Sequence, residues 1–277
     1  MHGLGNNYIF VNEFAESLPE EELSEIAIRV ANVNTGIGSD GLILIGPSRT
    51  AAFRMRIFNA DGSEGKNCGN GLRCVAKYVV DRNMIATTSF SIETLGGIVN
   101  VDAVRGENGK VREVTVDMGE PRLRKRDLPM LGEPDSTTID EPHEINGHQY
   151  RMTAVSMGNP HAVMFVSDVN QVAVAEIGPR IETCALFPER VNVEFIAVKN
   201  RREIDFRVWE RGSGITQACG TGACAAVVSG VLNGKLDKGV PVTVHLLGGD
   251  LAITWGEDGH IYMLGPAETV AVGEFLL

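Results

Sequence analysis

The feature that most constrains this chain is an internal repeat, because sliding the second half over the first brings three separate segments into match at almost one offset. Gly5-Asn6 with the apolar run Tyr8 to Val11 matches Gly158-Asn159 with Ala162 to Val166, and Asn6 to Asn159 is 153 residues. FRMRIFNADGSEGKNCGNGLRCVAKYVV matches IDFRVWERGSGITQACGTGACAAVVSGVL. In each, a strand and a Gly-Ser loop lead into Cys-Gly-x-Gly at the mouth of a helix, and Cys68 to Cys219 is 151 residues. SIETLGGIVNVDAV matches VTVHLLGGDLAITW, two alternating runs about a Gly-Gly turn, which is a β-hairpin pattern; Gly96 to Gly248 is 152 residues. The chain therefore reads as two similarly folded halves.

Each half shows many short strands and hairpins with one prominent helix, Asn70 to about Asp81 and Thr221 to about Leu232. The predicted fold class is α/β (α+β), as two pseudo-symmetric domains. Leu72, Val75, Ala76 and Val79 recur at helical spacing, and Ala223 to Val228 is almost wholly apolar, so both helices are expected to be buried against a sheet. The link falls near Met118-Gly119-Glu120-Pro121, and the strand after Gly265-Pro266 can return to the first half. The expected domains are thus 1–118 plus 266–277, and 119–265.

A chain of 277 residues is long enough for two domains of ordinary size. No window approaches a membrane span, and MHGLGNNYIFVNEF lacks the basic and apolar regions of a signal peptide, so a cytoplasmic location is expected. A net charge of -11 disfavours nucleic acid or an anionic membrane as partner. Five cysteines, an odd number outside any small secreted frame, read as reduced thiols. Cys74 and Cys224, one to two turns into the apolar helices, read as packing residues. Their spacings from Cys68 and Cys219 lack Cys-x-x-Cys and the six histidines are scattered, so no metal site is expected.

Cys68 and Cys219 are different, because each precedes a helix whose unpaired N–H groups and macrodipole stabilise negative charge. A thiol of ordinary pKa about 8.5 can be lowered there by one to several units and become a base near neutrality. The glycines leave N–H groups open to a substrate carboxylate. Inverting a carbon centre needs a base on one face and an acid on the other, and two thiols in a duplicated frame can supply both without a cofactor.

With these motifs the chain resembles the diaminopimelate epimerase family, pyridoxal-phosphate-independent enzymes of lysine and peptidoglycan-precursor synthesis. MHGLGN, FNADGSEGKNCGNGLRC, SMGNPHAV, FPERVNVEF and WERGSGITQACGTGACA carry the resemblance over almost the whole chain. It implies interconversion of LL- and meso-diaminopimelate, catalysed by Cys68 and Cys219 in a cleft between two domains, in a homodimer without metal or organic cofactor. Each domain is then a strongly curved mixed sheet around a central helix. The resemblance further implies that Asn6, Asn59, Asn159 and Asn192 hold the substrate, and that Gly69-Asn70 and Gly220-Thr221 take its reacting carboxylate. It assigns Glu210 and Arg211 to the distal ammonium and carboxylate, and makes His161, with Glu210, an adjuster of thiol ionisation. Taken singly each is bland: an Asn in a Gly-rich turn is ordinarily a turn former, a Glu-Arg at a strand end a solvated pair, and a His beside Gly-Asn-Pro equally a packing residue.

Two departures stand out. Gly41 occupies a position where many family members have Gln, and the chain opens at Met1-His2 without the short strand that usually precedes the first motif. Either the start is trimmed or the first domain lacks an edge strand. Gly36, Gly38 and Gly41 form a literal Gly-x-Gly-x-x-Gly, but it follows a helix-like run and precedes a strand, the reverse of a dinucleotide site. CGTGACA fits the looser form with Ala225, after too long a loop. The remaining alternatives are a thiol redox sensor, which needs none of the matched Asn and Arg positions, and a proline racemase, which needs no second charged end.

Overall fold

Strands with alternating burial and one continuous apolar run build the sheet of the first half. The run is β2 (Gly41–Gly46), buried along its whole length, as suits a strand covered on both faces. Around it lie β1 (Ile9–Asn12), β3 (Phe53–Asn59), β4 (Ser89–Thr94), β5 (Gly97–Arg105) and β6 (Val111–Asp117), neighbours in that order. β1 and β2 are parallel with α1 (Leu23–Ala31) between them in sequence, β2 and β3 antiparallel, and β3 and β4 parallel across α2 (Gly69–Asp81). Hairpins complete the sheet. The computed structural model describes every residue except Asn67.

The second half repeats this pattern. β9 (Pro160–Phe165) and β10 (Asn192–Asn200) are parallel across α3 (Val174–Glu182), with β7 (Glu141–Ile145) and β8 (His148–Ser156) added as a hairpin before them. β10 and β11 (Glu203–Glu210) are antiparallel, β11 and β12 (Val242–Leu246) parallel across α4 (Gly220–Leu232), and β12 and β13 (Gly249–Trp255) form the closing hairpin. The fold is mixed α/β with one β-α-β-β-α-β-β plan used twice. In both Gly-Gly turns the second glycine, Gly97 (φ 125°) and Gly249 (φ 131°), takes a backbone conformation closed to most side chains. The two compact units are Met1–Asp117 with Leu264–Leu277, and Met118–Met263. The chain re-enters the first within β14 (Ile261–Pro266).

The sequence shows one prominent helix per half, and the structure has two. α1 is the helix-like run ahead of the glycine loop, but α3 is hidden by Gly178 and Pro179 within it. Gly178 is there for space: a Cβ would lie 2.3 Å from Cγ of Trp209. The two predicted helices begin one residue early, at Gly69 and Gly220, so that Cys68 and Cys219 are themselves the N-caps. α2 buries Leu72, Cys74, Val75, Ala76, Val79 and Val80 against β5 and β6, whereas α4 is buried nearly all round, against β8, β9, β10 and β13. No helix among the described residues is long and apolar enough to cross a membrane.

Candidate active site

In the first unit the extended backbone of Cys68 (φ -152°, ψ 107°) turns its sulfur back over the helix, where Sγ accepts the Gly71 N–H at 3.4 Å. Asn6 Oδ1 lies 3.7 Å from this sulfur and accepts the Asn70 Nδ2–H at 3.0 Å. Asp40 fixes which way the Asn6 amide points: a carboxylate only accepts, and it takes Asn6 Nδ2–H at 2.7 Å and the Asn7 N–H at 2.8 Å. Asn70 is held in turn by Arg73, whose Nη2 donates to Asn70 Oδ1 at 2.9 Å while Nε donates to the Pro266 carbonyl at 3.0 Å. Arg73 is wholly buried. Asn59 stands at the end of β3 in a tight turn, donating to Ser63 Oγ at 3.0 Å.

The second unit builds the corresponding arrangement with different chemistry. Cys219 caps α4 in the same extended conformation, 3.6 Å from Thr221 Oγ1. Asn159, the counterpart of Asn6, donates from Nδ2 to Thr221 Oγ1 at 3.3 Å, and its Oδ1 lies 3.0 Å from His161 Nε2. His161 Nδ1 faces Glu194 Oε1 at 2.6 Å, with both side chains fully sealed. Asn192 is buried and turned to the backbone, donating to the Pro160 carbonyl at 2.9 Å and accepting the Arg211 N–H at 2.9 Å. Glu210 accepts the Thr216 hydroxyl, and the exposed Arg211 donates to the Glu189 carbonyl at 3.0 Å. Buried Glu182 braces the turn after them, taking Trp209 Nε1–H at 2.7 Å and Gly212 N–H at 3.0 Å.

Cys-Gly-x-Gly has a spatial reason in both units. A Cβ on Gly71 would meet Ile43 Cδ1 at 2.7 Å, and one on Gly222 would meet Glu194 Oε1 at 3.0 Å and Cys219 Sγ at 3.1 Å. In the second unit the glycine makes room beneath the sulfur, and in the first it makes room for Ile43. Cys219 departs from the lowered ionisation expected of a helix mouth. Burial pushes Cys219 well above its ordinary range, and the charge of Glu210 acts in the same direction, against the Thr221 hydroxyl and the Gly222 N–H. Desolvation outweighs the helix end. Cys74 lies deep in α2, where burial pushes its thiol up to about 12.

The first unit thus brings together Cys68, Gly69, Asn70 and Asn6, with Asn59 at a strand end; the second brings together Cys219, Gly220, Thr221, Asn159 and His161, with Asn192, Glu210 and Arg211 around the end of β11. Sequence reasoning missed Asp40, Tyr8, Arg73 and Glu194. Tyr8 is buried beside Cys68 and hydrogen-bonded to it; burial pushes its phenol above the ordinary range, and the charges of Cys68 and Asp40 add to this. Glu194 left a signal, since an acid inside the buried run NVEFIAV must find a partner. The glycine loop rejected as a nucleotide site is the support that carries Asp40 to Asn6. Gly41 has φ 150°, and a Cβ there would lie 2.0 Å from the Phe58 carbonyl oxygen, so this backbone excludes the Gln expected at that position. Among the described residues no three His, Cys, Asp or Glu side chains converge as a metal centre.

Comparison with known proteins decides the family. The model of the family described as diaminopimelate epimerase matches residues 1–124 and 153–270. The chain belongs to the diaminopimelate epimerase family. It is 60% identical to the diaminopimelate epimerase of Geobacillus thermodenitrificans over 275 residues, 99% of this chain and 94% of that one. It is 58% identical to that of Bacillus cereus ATCC 10987, covering 99% and 95%. Solved structures extend the fold beyond the epimerases of this family. A probable proline racemase from Agrobacterium radiobacter K84 aligns with a TM-score of 0.73 at 14% identity, covering 100% of this chain and 91% of that one. A PhzF-family phenazine biosynthesis protein from Bacillus anthracis aligns at 0.68 and 18% identity, covering 96% and 92%.

Proposed function

We propose that this chain interconverts LL- and meso-2,6-diaminopimelate by moving a proton at Cα between Cys68 and Cys219. One observation carries the reading: in a chain of this family, two cysteines occupy the same N-cap position on topologically equivalent helices, each followed three residues on by a glycine with little room for a side chain.

The thiolate on one face takes the Cα proton and the thiol on the other delivers its own, which inverts the centre and exchanges the roles of the two residues. The N–H groups of Gly69-Asn70 and Gly220-Thr221 receive the reacting carboxylate, where charge builds as the proton leaves. Asn6, Asn59, Asn159 and Asn192 line the substrate; an amide both donates and accepts, as a zwitterion requires. Arg211 takes the distal carboxylate and Glu210 the distal ammonium. His161 tunes the thiols. No organic cofactor or metal takes part. The enzyme works as a cytoplasmic homodimer in lysine and peptidoglycan-precursor synthesis.

Purified protein given LL-diaminopimelate alone should form the meso isomer until the two equilibrate, and should leave L-proline unchanged. Racemisation of proline with diaminopimelate untouched would replace this reading by that of a proline racemase.

A further inference from the structure

Asn6 and Asn159 are equivalent in the repeat, yet their amides are turned in opposite senses. Asp40 draws the nitrogen of Asn6 to itself and leaves Oδ1, an acceptor, facing Cys68 and Asn70. At Asn159 the oxygen faces His161 and the nitrogen donates to Thr221, whose hydroxyl is left free to donate to Cys219 Sγ. That orientation requires hydrogen on His161 Nε2, since a bare ring nitrogen opposite a carbonyl oxygen would be repelled.

The other ring nitrogen then decides the matter. With Nε2 turned to the Asn159 oxygen, Nδ1 faces the Glu194 carboxyl at 2.6 Å. Among the described residues Glu194 Oε2 has no hydrogen-bond partner, which a neutral acid tolerates far better than a carboxylate. Burial raises the Glu194 carboxyl against the pull of His161, and the charge of Glu210 raises it further. The titratable groups facing Glu194 are His161 on β9, Glu210 on β11 and Cys219 at the mouth of α4, and those facing Cys219 are Glu210 and Glu194.

We propose that Glu194 is a positioning residue that holds a hydrogen against His161 Nδ1, fixes hydrogen on Nε2, and through Asn159 aims the Thr221 hydroxyl at Cys219. The relay places a donor where the Cys219 thiolate forms. Its bearing on turnover rests on the two-thiol reading; its effects on His161 and Cys219 do not.

The test uses the full-length protein with labelled histidine and cysteine. The nitrogen shifts of His161 report its tautomer, and the Cβ shift of Cys219 follows its thiol titration; His161→Asn and Cys219→Ser assign the two signals. Glu194→Gln places an amide N–H where the acid hydrogen was, so His161 should keep hydrogen on Nε2 and the Cys219 midpoint should stay within about half a pH unit of the native value. Glu194→Ala removes the donor: His161 should shift toward hydrogen on Nδ1, the Cys219 midpoint should rise by about one unit, and kcat should fall about tenfold with KM nearly unchanged. The proposal is overturned if Glu194→Ala leaves tautomer and midpoint native, or if Glu194→Gln shifts them equally far. Should Glu194→Ala fail to fold, hydrogen on Nδ1 in Glu194→Gln overturns it alone. Failure of the epimerase reading would show separately, as native protein inert toward diaminopimelate with these signals intact.

Discussion

His161 Nδ1 lies 2.6 Å from Glu194 Oε1, and neither side chain reaches solvent. A titratable pair is seldom buried in this way unless something nearby uses its hydrogen, and two further hydrogen bonds connect it to Thr221 beside Cys219. The counterpart in the first unit is a carboxylate, Asp40, acting on Asn6. The two units share one frame, and the differing partners give each sulfur its own surroundings.

Replacing either sulfur separates catalytic cysteines from packing ones. Cys68→Ala and Cys219→Ala should each lower epimerisation by about 10²- to 10⁴-fold, the range expected for a positioned acid or base. Cys184→Ala, at a half-buried position, should leave it nearly intact. Native turnover in either of the first two variants would refute the two-thiol mechanism.

Arg73 spends a buried guanidinium on holding Asn70 and the Pro266 carbonyl. Arg73→Met should cost about 2–3 kcal/mol in urea unfolding, since hydrogen bonds to charged groups are the strong ones. KM should also rise, because Asn70 loses its support. Arg73→Lys should recover little, as one ammonium cannot reproduce the planar fork. Unchanged stability in Arg73→Met would show that the interior does not depend on it.

The backbone at Gly41 predicts that the chain does not tolerate Gln there. With φ at 150° and the Phe58 carbonyl in the way, Gly41→Gln should destabilise the protein by about 1–3 kcal/mol, read as a lower urea midpoint. A variant as stable as the native protein would mean that β2 can enter the sheet along another path.

The β11–β12 ladder carries a pH response of two signs. Hydrogen bonds from Lys199, His245 and Asn200 pull Glu203 down to about 2, so its contribution is present above the ordinary carboxylate range and is lost as pH falls toward 2. Burial works against His245, but Asp250 and Glu203 more than offset it and raise it above 6.5. That contribution is full below 6.5 and is lost as pH rises through the raised value. His245→Gln should therefore flatten the fall in thermal stability on the neutral-to-alkaline side while leaving the acid side largely in place.

Much of this was legible in the sequence. The Cys-Gly-x-Gly pair gave both helix mouths, and the matched Gly-Gly turns located both closing hairpins. Periodicity recovered α2 and α4 because their buried faces are apolar. It missed α3, because Gly178 is shaped by the Trp209 ring rather than by helix propensity. Asp40 and Glu194 escaped for another reason: their partners stand 34 and 33 residues away in sequence, and only the parallel pairings β1–β2 and β9–β10 bring them together. The elevated Cys219 thiol was hidden too, since a helix mouth reads as lowering and the burial that outweighs it is a property of the packed unit.

The central claim is a proton passing at Cα between two thiols, and isotope exchange in heavy water tests it most directly. Starting from LL-diaminopimelate, every molecule that becomes meso should carry deuterium at its inverted Cα, with substrate labelled more slowly at early times. Product formed with its original Cα hydrogen would contradict the account.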